Sequence, residues 1–361
     1  MMEQFSCNSK RKVIQMKTKM SVWVVGAAFA VCAGSYAAGA AGVHVLDCKG
    51  REFASPTCMT EERMLKIAGE EFPSGGVKVV SLDLRIQKCA KEALEKYVDT
   101  KNIEFATAVI LDVKSGATLG AAEKKCGHEL ANMFRYADAI GWEYEPGGLI
   151  YPIMAALATE SGREWESLGS ALESGRSDVF EELREKDVLK NWINWDRTLK
   201  YRVAKGRDMK LDSLQIARSY GVLANLGTYV GTYGVERMIG TDGKVLKWHE
   251  QSNARRVLNA EIAVKVCRAL EKTVTKNGIC QDAKVEGLKV AGMSGTASLH
   301  FGSKSPLVVY GQSFAGFFPV ENPNYVVVVT FVTRKDEPMV RGGGRSARTF
   351  AELAKRIMAN E

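Results

Sequence analysis

Apolar and polar positions alternate along this chain in a few clear blocks. Val77 to Leu82 reads as a strand. Asp83 then stands where a helix N-cap is needed, and Ile86, Cys89, Ala90, Ala93, Leu94 and Tyr97 recur at three- and four-residue spacing, which predicts an amphipathic helix. Thr107 to Val113 is a strand run, Lys114-Ser115-Gly116 a turn, and Ala117 to Ala122 its hairpin partner. Helical character dominates from about Gly127 to Asn277. Three strand candidates follow, Val290–Phe301, Leu307–Pro319 and Tyr325–Thr333, joined by short turns that imply an antiparallel meander. A final helix over Ser346–Ala359 places Phe350, Leu353, Ala354, Ile357 and Met358 on one face. Strands at both ends, helices between and after, predict an α+β domain: an antiparallel sheet flanked by helices, with an inserted helical lobe.

The start of the chain has a different pattern. Ser21 to Gly42 carries no charge, and Lys10, Arg11, Lys12, Lys17 and Lys19 precede it against a single acid, Glu3. A basic flank before an apolar stretch marks a membrane anchor or a signal peptide. Its length and flanks favour a single-pass anchor with residues 1–20 in the cytoplasm. Ala37 to Ala41 resembles a processing site, so a cleaved leader and a secreted periplasmic body remain the alternative. Both export the body. The expected organisation is therefore a basic tail (1–20), an anchor or signal (21–42), a short linker (43–76) and one domain (77–361).

Composition narrows the function. The 361 residues are 46% hydrophobic and 25% charged, with 34 Gly and 8 Pro, an ordinary globular balance. The net charge of +8 is half accounted for by the first 20 residues, and the remaining body, also +4, lacks the basic footprint of a nucleic-acid binder. No CxxC occurs and the four His are scattered, so no metal or other cofactor is expected. Six cysteines lie in the exported part. Cys48–Cys58 and Cys267–Cys280 are the simplest disulfides, with buried free thiols as the alternative. Residues 163–212 hold 22 charged side chains in 50, with Trp165, Trp192 and Trp195 as anchors; this reads as a solvated helical excursion.

Seven stretches, in order, resemble the transpeptidase domain of class B penicillin-binding proteins. Val45 to Ala54 is similar to "DRNGxxLA", Val80 to Gln87 to "LTIDxxLQ", and Ala108 to Gly116 to "AVVLDPKTG". Tyr144-Glu145-Pro146-Gly147 repeats "YEPG". Leu214 to Tyr220 with Ala224 to Gly227 resembles "LQLARAYAALANGG", and Val290 to Gly292 with Gly295 to Ala297 brackets the place of "AGKTGTA". Phe314 to Tyr325 resembles "FVGFAPAENPKY". The resemblance covers residues 43–361 and implies a peptidoglycan D,D-transpeptidase fold. It also implies cell-wall or division proteins as partners, peptidoglycan stem peptides as ligands, and a linker (43–76) that is a reduced family pedestal.

The family's chemistry needs a serine nucleophile and a lysine one helical turn later, an SxN-type group and a KTG strand. Here Gly148 stands at the serine position and Tyr151 at the lysine position. A phenol is protonated at neutral pH and is a poor base. No Ser-x-Asn occurs between Gly148 and Gly295, and Met293 replaces the KTG lysine. Losing a nucleophile from such a unit costs about a million-fold in rate. The reading is a degenerate, catalytically inactive member with a scaffold or regulatory role. One alternative is an acyltransferase or hydrolase using Ser294, although no lysine follows it at the required spacing. Another is a groove that binds stem peptides through Ser294, Gly295 and Thr296 without chemistry. Tyr151 is expected to fill the groove beside Met293.

Overall fold

The computed structural model describes residues 44–52, 76–98, 102–126, 137–185, 188–196, 199, 209–249, 254–300, 308–334 and 341–360. Two compact units emerge. The larger is built on five strands in the order β4-β3-β11-β10-β9, every neighbouring pair antiparallel: β3 (Ile103–Asp112), β4 (Thr118–Lys125), β9 (Ala291–His300), β10 (Val308–Phe318) and β11 (Tyr325–Arg334). These strands match the expected meander and hairpin to within a few residues at each end.

Helices cover both faces of this sheet. Helix α1 (Leu84–Tyr97) starts at Asp83, whose side chain accepts from the Arg85 amide at 2.8 Å, and it buries Ile86, Cys89, Ala90, Ala93 and Leu94 as the periodicity requires. It packs with the last helix, α7 (Gly344–Met358), whose Phe350 meets Phe314 and Phe318 of β10 at 4.8 and 5.8 Å between ring centres. Side chains alternate along a strand, so Ser313 faces the opposite side. There it pairs with Thr330, 3.0 Å away across β10 and β11. Helix α5 (Ser213–Ala224) lies over that second face, opened by a capping box between Asp212 and Gln215. Helices α2 (Tyr151–Glu160), α3 (Trp165–Ser174), α4 (Ser177–Glu185) and α6 (Ala260–Thr273) form the helical lobe. Its charge-rich part is solvated, but Trp192 and Trp195 are fully buried, and the Trp192 indole donates to Ser219 Oγ at 3.1 Å.

The smaller unit is a four-stranded sheet in the order β1-β2-β6-β7, made of β1 (His44–Leu46), β2 (Val77–Val80), β6 (Val235–Ile239) and β7 (Val245–Trp248). Leu46, Val77, Val79 and Ile239 form its core. Three expectations change here. Residues 44–46 are a strand and not an irregular linker, because β2 supplies a parallel partner. This sheet is mixed, whereas only the larger is wholly antiparallel. The segment expected to be mostly helical also contains β6 and β7, along with the short pair β5 (Thr228–Tyr229) and β8 (Arg255–Arg256). Their turn signal is Asp242-Gly243: Asp242 Oδ1 accepts from the Lys244 amide at 3.0 Å, and Gly243 takes φ +76°.

The Cys267–Cys280 disulfide expected from sequence is not formed. The Cys267 thiol donates to the Leu223 carbonyl (3.4 Å) and the Cys280 thiol to Ser294 Oγ (3.6 Å), so the two sulfurs serve different neighbours. Cys58 lies outside the described residues, as do residues 1–42. Among the described residues no helix is long and apolar enough to cross a membrane.

Candidate functional site

The turn that carries the Tyr-Glu-Pro-Gly motif is held from several sides. Tyr144 is buried and exchanges both backbone hydrogen bonds with Leu211 (3.0 and 2.9 Å). Its hydroxyl accepts from Thr330 Oγ1 at 2.8 Å, and its ring stacks on Trp142 at 4.9 Å. Burial pushes the Tyr144 phenol up, so it stays neutral. A short 3-10 turn, Gly147–Ile150, follows and leads straight into α2. The Tyr220 hydroxyl of α5 donates to the Leu149 carbonyl at 3.0 Å and fixes this turn from below.

The turn rests directly on β9, the outermost strand of the five-stranded sheet. The approach is backbone to backbone. A Cβ on Gly148 would stand 2.7 Å from the Ser294 carbonyl oxygen, and one on Gly295 would stand 2.2 Å from the Pro146 carbonyl oxygen. Real Cβ atoms are not found below 3.0 Å from such atoms. The two glycines thus permit a seam with no room for a side chain between turn and strand. Gly148 is the position where the family resemblance calls for the nucleophile.

Gly148, Ser294 and Gly295 therefore come together, with Thr296 against Gly147 and Tyr151 opening α2. Tyr151 departs from expectation in its partner. Its ring reaches over Gly148, with Cε2 3.4 Å from where a Cβ would be, but it stacks on Phe180 of α4 at 4.6 Å with planes only 12° apart. It was expected beside Met293. The Phe180 ring gives it a stacked aromatic partner. Met293 is 2% exposed and opposite Ala315, packed as a core residue where the family motif has a cation.

The surroundings of Ser294 bear on chemistry. Its hydroxyl accepts from the Cys280 thiol, which comes from the loop after α6. Burial pushes that thiol up, so it is protonated at neutral pH and cannot act as a base. Phe180 was not singled out in the sequence, and Cys280 only as a disulfide candidate; both reach the site from segments with no motif of their own.

The comparisons with known proteins fit this geometry. The penicillin binding protein transpeptidase domain matches residues 175–359, just over half of the chain. The probable peptidoglycan D,D-transpeptidase PenA of Neisseria gonorrhoeae is 24% identical over 330 residues, covering 75% of this chain and 54% of that protein. The probable peptidoglycan D,D-transpeptidase PbpC of Pseudomonas aeruginosa is 24% identical over 339 residues, covering 76% and 57%. The chain thus spans about half the length of these curated relatives. Among solved structures, the D,D-transpeptidase domain of a peptidoglycan glycosyltransferase from Eggerthella lenta superposes with a TM-score of 0.66 at 17% identity, covering 89% of this chain and 99% of that one. The transpeptidase domain of the FtsI4 D,D-transpeptidase from Legionella pneumophila gives 0.57 at 20% identity, covering 77% and 97%. The fold is the α+β transpeptidase fold, and with its sheet, its flanking helices and the profile over its C-terminal half in agreement, the chain belongs to the penicillin-binding protein transpeptidase family.

Proposed function

We propose that this protein is a catalytically silent transpeptidase homologue that serves peptidoglycan synthesis as a scaffold or regulator. The observation that carries the proposal is the seam at Gly148. The nucleophile's position has no side chain, and the space one would fill is taken by the Ser294 carbonyl. Three further facts support it. The Tyr151 ring lies over Gly148 and stacks on Phe180, a phenol where the family has a lysine. Met293 offers no charge to a substrate carboxylate. Ser294 has a protonated thiol beside its hydroxyl, which argues against a relocated nucleophile. The same close packing argues against a peptide groove along β9.

The names of its relatives place them in cell-wall synthesis, and the partners proposed here are proteins of that machinery, those of division included. We propose further that residues 21–42 anchor the chain in the cytoplasmic membrane with the body in the periplasm, on the strength of the basic flank and the uncharged stretch. The decisive experiment is incubation of the full chain with a labelled β-lactam, followed by intact-mass measurement. The expected result is an unmodified protein. An adduct that forms on the wild type and is lost in Ser294→Ala would make it an enzyme.

A further inference from the structure

Among the described residues, four large apolar side chains stand exposed, and three of them belong to β7: Val245 at 50%, Leu246 at 56% and Trp248 at 57%. This strand is the outer member of the four-stranded sheet. It pairs with β6 on one side, and no other described strand pairs with it. Apolar edge strands attract unwanted pairing in water, and folded proteins blunt or cover them. A whole strand left exposed, with a tryptophan at its end, marks a surface that meets something apolar.

Topology identifies what that is. One row of residues crosses the sheet from edge to edge: His44 is opposite Val77, Val77 opposite Ile239, and Ile239 opposite Val245. The first residue of β1, the first residue of β7 and the Gly240–Lys244 turn therefore share one end of the sheet. His44 is separated from the uncharged stretch Ser21–Gly42 by Val43 alone. Each residue spans at most about 3.6 Å, so this end is tethered within roughly 7 Å of that stretch. Three strand spacings, about 14 Å in all, carry the row across to β7.

We infer that the β7 edge and its turn lie in the interfacial layer of the lipid bilayer. Val245, Leu246 and Trp248 meet the boundary between headgroups and acyl chains, where tryptophan is enriched. The one acid in the turn, Asp242, is neutralised locally, since the Lys244 ammonium lies 3.0 Å from its carboxylate. The inference rests on the proposed reading of residues 21–42 as a retained anchor. It adds a second contact that fixes how the small sheet stands on the membrane.

The test uses the full chain in vesicles of phosphatidylcholine and phosphatidylglycerol, with and without bromine on the acyl chains, and reads tryptophan quenching. Trp248→Phe and Trp23→Phe each remove one reporter; Trp248 is exposed, so its replacement leaves the fold intact. The expected result is that each substitution lowers the bromine-sensitive fraction by its own tryptophan's share. Leu246→Glu should lower the Trp248 share while leaving the Trp23 share unchanged. Quenching that depends on Trp23 but not on Trp248 overturns the docking and leaves the anchor standing. Quenching that depends on Trp248 but not on Trp23 keeps the docking and overturns the anchor; loss of both overturns both. Shielding of Trp248 from acrylamide that grows with protein-to-lipid ratio, without bromine quenching, assigns the strand to a second copy and also overturns the proposal.

Discussion

Replacing Gly148 with alanine adds one methyl group, and two effects of opposite sign compete. Gly148 does not sit in the left-handed region, so alanine can adopt its backbone conformation. Restricting the unfolded chain would then stabilise the protein by about 0.4–1 kcal/mol. Against this, the new Cβ would stand 2.7 Å from the Ser294 carbonyl oxygen and 3.4 Å from the Tyr151 ring. The ring can yield, but the carbonyl belongs to a paired strand. Forcing a methyl into packing of this kind costs about 1–3 kcal/mol. The steric effect wins, and Gly148→Ala should destabilise by about 1–2 kcal/mol net. The assay is urea unfolding followed by circular dichroism, where the midpoint should fall with the slope unchanged. Gly221→Ala is the internal control. Gly221 lies inside α5 with nothing within 4 Å of its would-be Cβ, so that variant should gain about 0.5–1 kcal/mol. A Gly148→Ala protein as stable as the wild type, beside a stabilised Gly221→Ala, would refute the closed seam and reopen the cleft as a site.

Two further outcomes follow from groups away from the seam. Burial pushes the Cys267 thiol from 9.0 up to about 12. Above pH 9 the unfolded thiol loses its proton while the folded one keeps it, so stability should fall as pH rises from 9 towards 12, by up to about 1.4 kcal/mol per pH unit; Cys267→Ala should flatten that slope in unfolding measured at stepped pH, and an unchanged slope would contradict the assignment. Arg218 Nε lies 2.7 Å from Asp196 Oδ2, with the two side chains only 13% and 2% exposed, so Arg218→Met should destabilise by about 3–5 kcal/mol and Arg218→Met with Asp196→Leu should recover most of it; equal losses in the single and double variants, measured by urea unfolding, would show that the pair is not coupled.

The fold was legible where pattern and length were both strong. The Asp83 cap, the apolar face from Ile86 to Leu94 and the three long strands from Ala291 to Arg334 each repeat their period several times. The short strands were not legible. Thr228–Tyr229 and Arg255–Arg256 are two residues long, and Val235–Ile239 sits between two well-formed helices whose period dominates the window. At the site, the altered identities at Gly148, Tyr151 and Met293 were visible because they fall inside recognisable motifs. Their consequences were not. That Tyr151 would stack on Phe180 depends on how α4 packs, and that Cys280 would reach Ser294 depends on the loop after α6; both are tertiary facts with no local period to announce them.

The small sheet also sets a timetable for synthesis. Its first two strands leave the ribosome early, but the third, Val235–Ile239, follows only after residues 81–234 of the larger unit have been made. At ordinary elongation rates that delay is roughly ten to thirty seconds. A parallel pair as short as His44–Leu46 with Val77–Val80 cannot hold together alone for that time. The segment nearest the apolar stretch, though made first, therefore waits for β6 before it becomes native, so a chain interrupted before residue 235 leaves β1 and β2 without that partner and open to quality-control proteases.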